Sequence, residues 1–312
     1  MVKRFLSCDA SEILTMSASE LKQSLKASEG RIILSENVAP REPYIAECTN
    51  AEMARAFGAD LILLNGIDVF EPIVSGLDTI KGDFLEQKDK ARNRRDFVRR
   101  LHHLVGRPIG INLEPVDLSA EMMDEKLEIS IGRQARQETI AELDKLGFNF
   151  VCFTGNPGTG VTNQAIIESV RLAKKEFSGL IFAGKMHAAG VDEPVADLEV
   201  VKELIDAGAD VILAPSVGSV PGFQANELTE MVKVAHKHGA LVMTAIGTSQ
   251  ESSEPETIRY MALQNKICGV DIQHIGDAGY GGLAPVENIF TMSKAIRGQR
   301  HTLAMIGRSI NR

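Results

Sequence analysis

From Arg31 onward the chain repeats one pattern of apolar and polar positions. A stretch with apolar residues three and four apart, as an amphipathic helix requires, gives way to a glycine-containing turn and then to a short run of consecutive apolar residues. The turns read RAFGAD, DKLGFN, DAGAD, HKHGA and KICGVD, each directly before an apolar run. The implied strands begin near Ile32, Leu61, Pro108, Phe148, Leu180, Val211, Leu241 and Ile272. They are separated by about 30 residues, the length of a strand plus a crossover helix, except across two longer intervals.

Apolar runs with no hairpin signal between them are parallel strands buried on both faces. Eight such units at near-constant spacing, with no GxGxxG turn after the first, predict a closed (β/α)8 TIM barrel of the α/β class rather than an open doubly wound sheet. Residues 1–312 then form one domain, with a helical extension over residues 1–30. Ser17 to Glu20 makes a Ser-x-x-Glu capping box ahead of Leu21 and Leu25, so a helix should precede the first strand and plug the barrel floor. The long intervals place inserted loops at 69–95 and 115–132, both on the C-terminal face and each a candidate lid or dimer contact. The basic run KDKARNRR, Lys88 to Arg95, reads as a solvated helix face.

Composition adds limits. A chain 44% hydrophobic and 24% charged is globular, and a net charge of −8 gives no general affinity for nucleic acid, so any phosphate recognition must be local. No run is long enough to span a membrane, and MVKRFLSCDASEIL lacks the apolar centre of a secretory leader. Cys8, Cys48, Cys152 and Cys268 show neither a CxxC pair nor zinc spacing, which suits reduced thiols in a cytoplasmic protein. An acidic barrel with lids suits a homo-oligomer.

Side-chain alternation decides which residues can meet at the barrel mouth. In strand three, Ile109, Ile111 and Leu113 should face the helices, leaving Gly110, Asn112 and Glu114 inward. In strand five, Leu180 and Phe182 should face the helices, with Ala183, Lys185 and His187 inward. The same logic sets Glu36, Asn65, Thr154, Ser216 and Thr244 at the ends of strands one, two, four, six and seven, and His274 or Asp277 at strand eight. Lys185 is the most informative: a lysine in that position is paired or deprotonated, and desolvation makes it a Schiff-base nucleophile or general base. The alternatives are a lysine reaching past the rim into water, or a salt bridge with Glu36 or Glu114 that only fixes the barrel. Those two glutamates read as an acid/base pair, as ligands of a divalent cation such as magnesium, or as that ion-pair partner. His187 is a candidate proton shuttle or phosphate ligand.

Two glycine-rich loops follow strands seven and eight, where this fold grips phosphate. In AIGTSQESSE, Gly247, Thr248 and Ser249 offer backbone and hydroxyl donors. In GDAGYGG, Gly279, Gly281 and Gly282 let N–H groups turn inward, and the next helix aims its N-terminus at the same place. A third loop of the same look, TGNPGTGVTN, follows strand four and either binds a second phosphate or, the simpler reading, only starts its helix.

The segments IGTS and GDAGYGG resemble the phosphate site of the ribulose-phosphate-binding class of barrels. Over its whole length the chain is similar to bacterial barrels labelled phosphonomutase-like or BtpA-like. Phosphoenolpyruvate mutases and isocitrate lyases carry an acidic magnesium site and a Lys-Lys-Cys-Gly-His type loop; the strand-five segment here, AGKMHAAG, lacks that cysteine and departs from the pattern. Three readings follow. The first is a lyase of aldolase type, or an isomerase, acting on a small phosphorylated carbonyl or sugar compound with no required cofactor. The second is a metal-dependent phosphonomutase or lyase using Glu36, Glu114 and Asp277. The third is a phosphate-binding or assembly factor without turnover.

Overall fold

The computed structural model describes residues 2–77, 95–123 and 125–312. Most of the 69–95 insertion and the basic run up to Asn93 and Arg94 therefore lie outside the described residues. Helices α1 (Ala10–Leu14) and α2 (Ala18–Lys26) come first, and α2 starts as expected: the Ser17 side chain accepts from the Glu20 N–H while the Glu20 carboxylate accepts from Ser17. Then follow β1 (Ile32–Val38), α3 (Asn50–Ala56), β2 (Leu61–Asn65), α4 (Phe97–Val105), β3 (Ile109–Leu113), α5 (Gln137–Leu146), β4 (Phe150–Phe153) and α6 (Asn163–Glu176). The chain continues through β5 (Leu180–Gly184), α7 (Leu198–Ala207), β6 (Val211–Pro215), α8 (Ala225–Lys237), β7 (Leu241–Ile246), α9 (Pro255–Ile267), β8 (Ile272–Ile275) and α10 (Val286–Gly307).

The strands pair in sequence order, all parallel, and β1 pairs with β8 through Leu34 and His274, so the sheet closes into a (β/α)8 barrel. The turns that punctuate the sequence also stitch its floor. Asp60, Asp210 and Asp271 each precede a strand and accept the N–H of Ile33, Ile181 and Val242, in the strand before; Asn149 does the same for Ile109. In this way the last residue of each Gly-x-Asp/Asn turn satisfies a backbone donor at a strand start.

Two apolar layers pack on the sheet. The outer one joins Ile33, Ile62, Ile111, Ile181 and Ile212 to the helices. The inner one fills the barrel with Leu34, Leu63, Phe150, Phe182, Leu213 and Met243, and is plugged from the strand-start end by Phe5, Ile13, Leu21 and Leu25 of the N-terminal extension. The Phe150 and Phe182 rings stack with centroids 4.8 Å apart. Gly110 makes room for them, since a Cβ there would lie 2.2 Å from the Phe150 ring.

The inner layer corrects part of the sequence reading. Strand three alternates as expected, but Leu180 and Phe182 of β5 point into the barrel, and Ala183 faces the helices. Strands β6 and β7 follow suit, with Leu213 and Met243 inside and Ala214, Val242 and Ile246 outside. Barrel interiors are packed with large side chains, so size does not distinguish the inner from the outer face. The insertion over 115–132 lies across the neighbouring loops: Val116 bridges Val161, Met122 bridges Val191, and the Leu127 N–H donates to the Gly158 carbonyl.

Candidate functional site

At the C-terminal ends of the strands lies a cavity of about 710 Å³. Its wall collects Glu36, Asn65 and Asn112 from β1, β2 and β3, Thr154 just after β4, His187 from the loop after β5, Thr248 and Ser249 after β7, and Asp277 and Gly279 after β8. These nine were singled out from sequence, and the fold brings them together. Gly247, Gly281 and Gly282 are not part of the wall; Gly281 and Gly282 donate their N–H groups to Ala278 and Gly279 within their own tight turn.

Reversed alternation removes three more. Ser216 faces α9, where its hydroxyl is bonded to the Asn265 carboxamide, and Thr244 lies on the side of Val242 and Ile246. Lys185 shares the side of Ala183 and is absent from the cavity wall. Its side chain, 1% exposed, places Nζ 2.7 Å from Glu193 Oε2, and the same oxygen accepts the Asn163 N–H at the start of α6. Lys185 therefore joins loop five to α6. Its partner is neither Glu36 nor Glu114.

Glu114 is also spent on framework. Its Oε1 accepts from Arg133 at 2.7 Å and its Oε2 from the Asn156 N–H at 2.9 Å, with 2% of the side chain exposed. The result is to hold Arg133 and Asn156, both of which line the cavity.

A carboxamide network crosses the floor, and one backbone bond fixes its orientation. The Gly66 N–H donates to Asn65 Oδ1 at 2.8 Å, so the other end of Asn65 must be the amide nitrogen. That nitrogen donates to Asn156 Oδ1 at 2.9 Å and to Asp277 Oδ2 at 3.0 Å. Asn65 Oδ1 in turn accepts from Asn156 and Asn112, which leaves Asn112 Oδ1 buried with no partner among the described residues.

The acids adjoin this network, since Asp277 is bonded to Asn65. Glu36 Oε2 is 2.9 Å from His274 Nε2, both deeply buried. Asp277 accepts from Asn65 and, through Oδ1, from the Gly279 N–H at 2.7 Å. Burial and the Glu36 charge nevertheless raise its carboxyl to about 6. Glu251 accepts the Ala278 N–H at 2.9 Å, and burial pushes its carboxyl up as well. Across the cavity, burial pushes the His187 imidazole down, and its Nδ1 accepts the Ala189 N–H at 3.0 Å. An imidazole that accepts at Nδ1 carries its proton on Nε2.

The two phosphate-type loops differ. After β8 the N–H groups of Ala278 and Gly279 are already taken by the Glu251 and Asp277 carboxylates, so the chain's own acids occupy the anion cradle. After β7, Thr248 and Ser249 both adopt left-handed backbone (φ 56 and 69), and their N–H groups have no acceptor among the described residues. Consecutive backbone N–H groups in such turns form an anion-binding concavity.

Sequence reasoning passed over Glu251, Asn156, Arg133 and Met186. Asn156 sits in the noted TGNPGTG loop, but nothing distinguishes Glu251 from the polar residues around it in QESSE. Among the described residues no three His, Cys, Asp or Glu side chains converge as a metal-ligand set.

Among solved structures the chain is similar to a putative lyase/mutase from Burkholderia cenocepacia J2315, with 17% identity and a TM-score of 0.51 over 84% of this chain and 83% of that one. It is also similar to 2,3-dimethylmalate lyase, a PEP mutase/isocitrate lyase superfamily member (12%, 0.51, 86% and 84%). A third is an archaeal fructose-1,6-bisphosphate aldolase (15%, 0.50, 87% and 96%). At these identities the likeness establishes a common fold. No curated protein matches the sequence. A family model does: DUF7916, described as a domain of unknown function, matches residues 6–312, and the chain belongs to that family.

Proposed function

We propose that the protein is an enzyme of lyase or isomerase type that moves a proton on a small carbonyl compound bearing an anionic group such as phosphate. The observation that carries this reading is Asp277, a carboxylate at the cavity wall whose proton affinity burial and Glu36 raise to about 6. A base tuned toward neutrality accepts a carbon-bound or hydroxyl proton and returns it more readily than an ordinary carboxylate does.

Removal of such a proton leaves negative charge on the carbonyl oxygen. His187, neutral and protonated on Nε2, is the group to donate a hydrogen bond there, since a preorganised neutral donor stabilises an oxyanion without first giving up its proton. The Asn65 carboxamide holds Asp277 and is itself held by Asn156, so the base is fixed in place before substrate arrives. The anionic end falls to the N–H groups of Thr248 and Ser249. Lys185 has no part in this chemistry, being held by Glu193 outside the cavity.

The metal-assisted reading would draw on Glu36, Glu114 and Asp277, but Glu114 is committed to Arg133 and Asn156, so no step is routed through a metal. The test is exchange of substrate carbon-bound hydrogen with deuterated water, followed by proton NMR, over a panel of ketose and aldose phosphates and 2-oxo acids. At least one member should exchange with the native protein, and Asp277→Asn should slow it by about 10² to 10⁴. Binding of panel members with no exchange would instead favour a barrel that binds without turnover.

A further inference from the structure

Among the described residues Arg133 is the only lysine or arginine on the cavity wall. Its backbone is tied to the end of β3: the Arg133 carbonyl accepts the Glu114 N–H at 2.9 Å, and the Ala135 N–H donates to the Glu114 carbonyl at 2.9 Å. The guanidinium is held at one corner. Nη2 donates to Glu114 Oε1 at 2.7 Å, whereas Nη1, with two N–H groups, has no partner among the described residues and is not buried as Nε is. The side chain keeps 27% of its surface accessible.

Arg133 stands beside the end of β3, and Thr248 and Ser249 follow β7. Those strands are four positions apart in a closed ring of eight, so the two sets of donors face each other across the mouth. Asp277, after β8, lies on one arc between them, and His187, after β5, on the other. A molecule stretched from the β7 loop to Arg133 passes between the base and the imidazole. A hydroxyl could accept from Nη1, but the bond to an oxyanion is charge-assisted at both ends and about twice as strong as a neutral one. Glu114 already fixes the guanidinium, so little side-chain freedom is lost when that bond forms.

We propose that Arg133 binds a second oxyanion, so that the substrate is a carbonyl compound with an anionic group, carboxylate or phosphate, at each end. The inference rests on the proposed function for the carbonyl and the first anion, and adds the second.

The probes are three six-carbon polyol derivatives without a carbonyl: glucitol 6-phosphate, 6-phosphogluconate and glucitol 1,6-bisphosphate. They carry one phosphate, a phosphate with a carboxylate, and two phosphates. Calorimetric titration at fixed ionic strength should show at least one of the two double-ended probes binding about tenfold or more tighter than glucitol 6-phosphate, and the better of them identifies the second group. Charge alone would act the other way, since the chain carries a net charge of −8. Arg133→Gln should remove the advantage and leave glucitol 6-phosphate within about twofold of its native affinity. If that variant does not fold, Glu114→Gln with Arg133→Gln leaves no unpaired charge behind and should give the same result. Equal affinity for all three probes, binding of none, or an advantage that survives the loss of Arg133 would overturn the proposal, as would an equal loss for all three in the variant. Because no probe has a carbonyl, the outcome is independent of the exchange experiment: an advantage that depends on Arg133, beside failed exchange, would remove the acid–base reading and leave the second anion site standing.

Discussion

Replacing Asp277 by Asn should make the protein more stable at pH 8 and less so in mild acid. An aspartate ordinarily titrates near 3.8, and this one near 6 in the fold. Its folded pKa is raised, so between those values the folded state holds more proton than the unfolded chain, and stability falls as pH rises through the window. The full cost of ionising Asp277 in place is about 3 kcal/mol, an upper bound because the residue is only partly buried and solvent screens it. Asn keeps an oxygen for the Gly279 N–H but turns an amide toward the Asn65 nitrogen, and losing that hydrogen bond costs about 1 kcal/mol. The variant should therefore come out about 1 kcal/mol more stable at pH 8, and the advantage should shrink by roughly 1 kcal/mol on going down to pH 5. Denaturant unfolding of both proteins at several pH values measures the difference, and the subtraction cancels the titrating groups that do not interact with Asp277, leaving that residue and its coupling to Glu36 and Glu251. A difference that is flat in pH, or that grows in acid, would show that Asp277 is not a strained carboxylate and would remove the ground for making it the base.

Other substitutions separate framework from site. Lys185→Ala should lower stability by about 2 to 4 kcal/mol, because it breaks a buried ion pair, while the exchange activity per folded molecule persists; lost activity in a folded variant would return the lysine to the chemistry. Gly110→Ala should destabilise by about 1 to 3 kcal/mol by driving a methyl into the Phe150 ring, and Phe150→Leu in the same chain should recover part of the loss. His187→Gln should lower kcat far more than it raises KM if the imidazole acts on the oxyanion, whereas a matched change in KM alone would make it a binding group.

The architecture was legible because each βα unit needs both an apolar run and a turn of special backbone, and both leave marks in the sequence. DKLGFN shows the turn twice over: Gly147 takes a left-handed conformation (φ 87) to end α5, and Asn149 then caps a strand start. Side-chain direction in β5, β6 and β7 was not legible. Leu180 inside the barrel and Ile181 outside it are both large, apolar and fully dry, so the sequence carries no sign of which is which. Lys185 misled for the same reason, since a buried lysine is equally well satisfied beneath a loop as inside a barrel mouth. Glu251 was invisible for a different one: its burial depends on the β8 loop folding over it, a contact between segments 27 residues apart.

The ionic groups near the mouth fall into two kinds, and the division bears on function. Glu114 and Glu193 each meet an opposite charge and a backbone N–H, and Lys185 meets Glu193, which ties the loops together. Among the described residues no lysine or arginine pairs with Glu36, Glu251 or Asp277, and two of the three sit above their ordinary pKa. If the wall served the fold alone, a carboxamide at Asp277 would meet the same Gly279 N–H without the electrostatic cost. Retaining the costlier group is what a base at Asp277 requires, since the carboxylate takes up a proton near neutrality and a carboxamide does not.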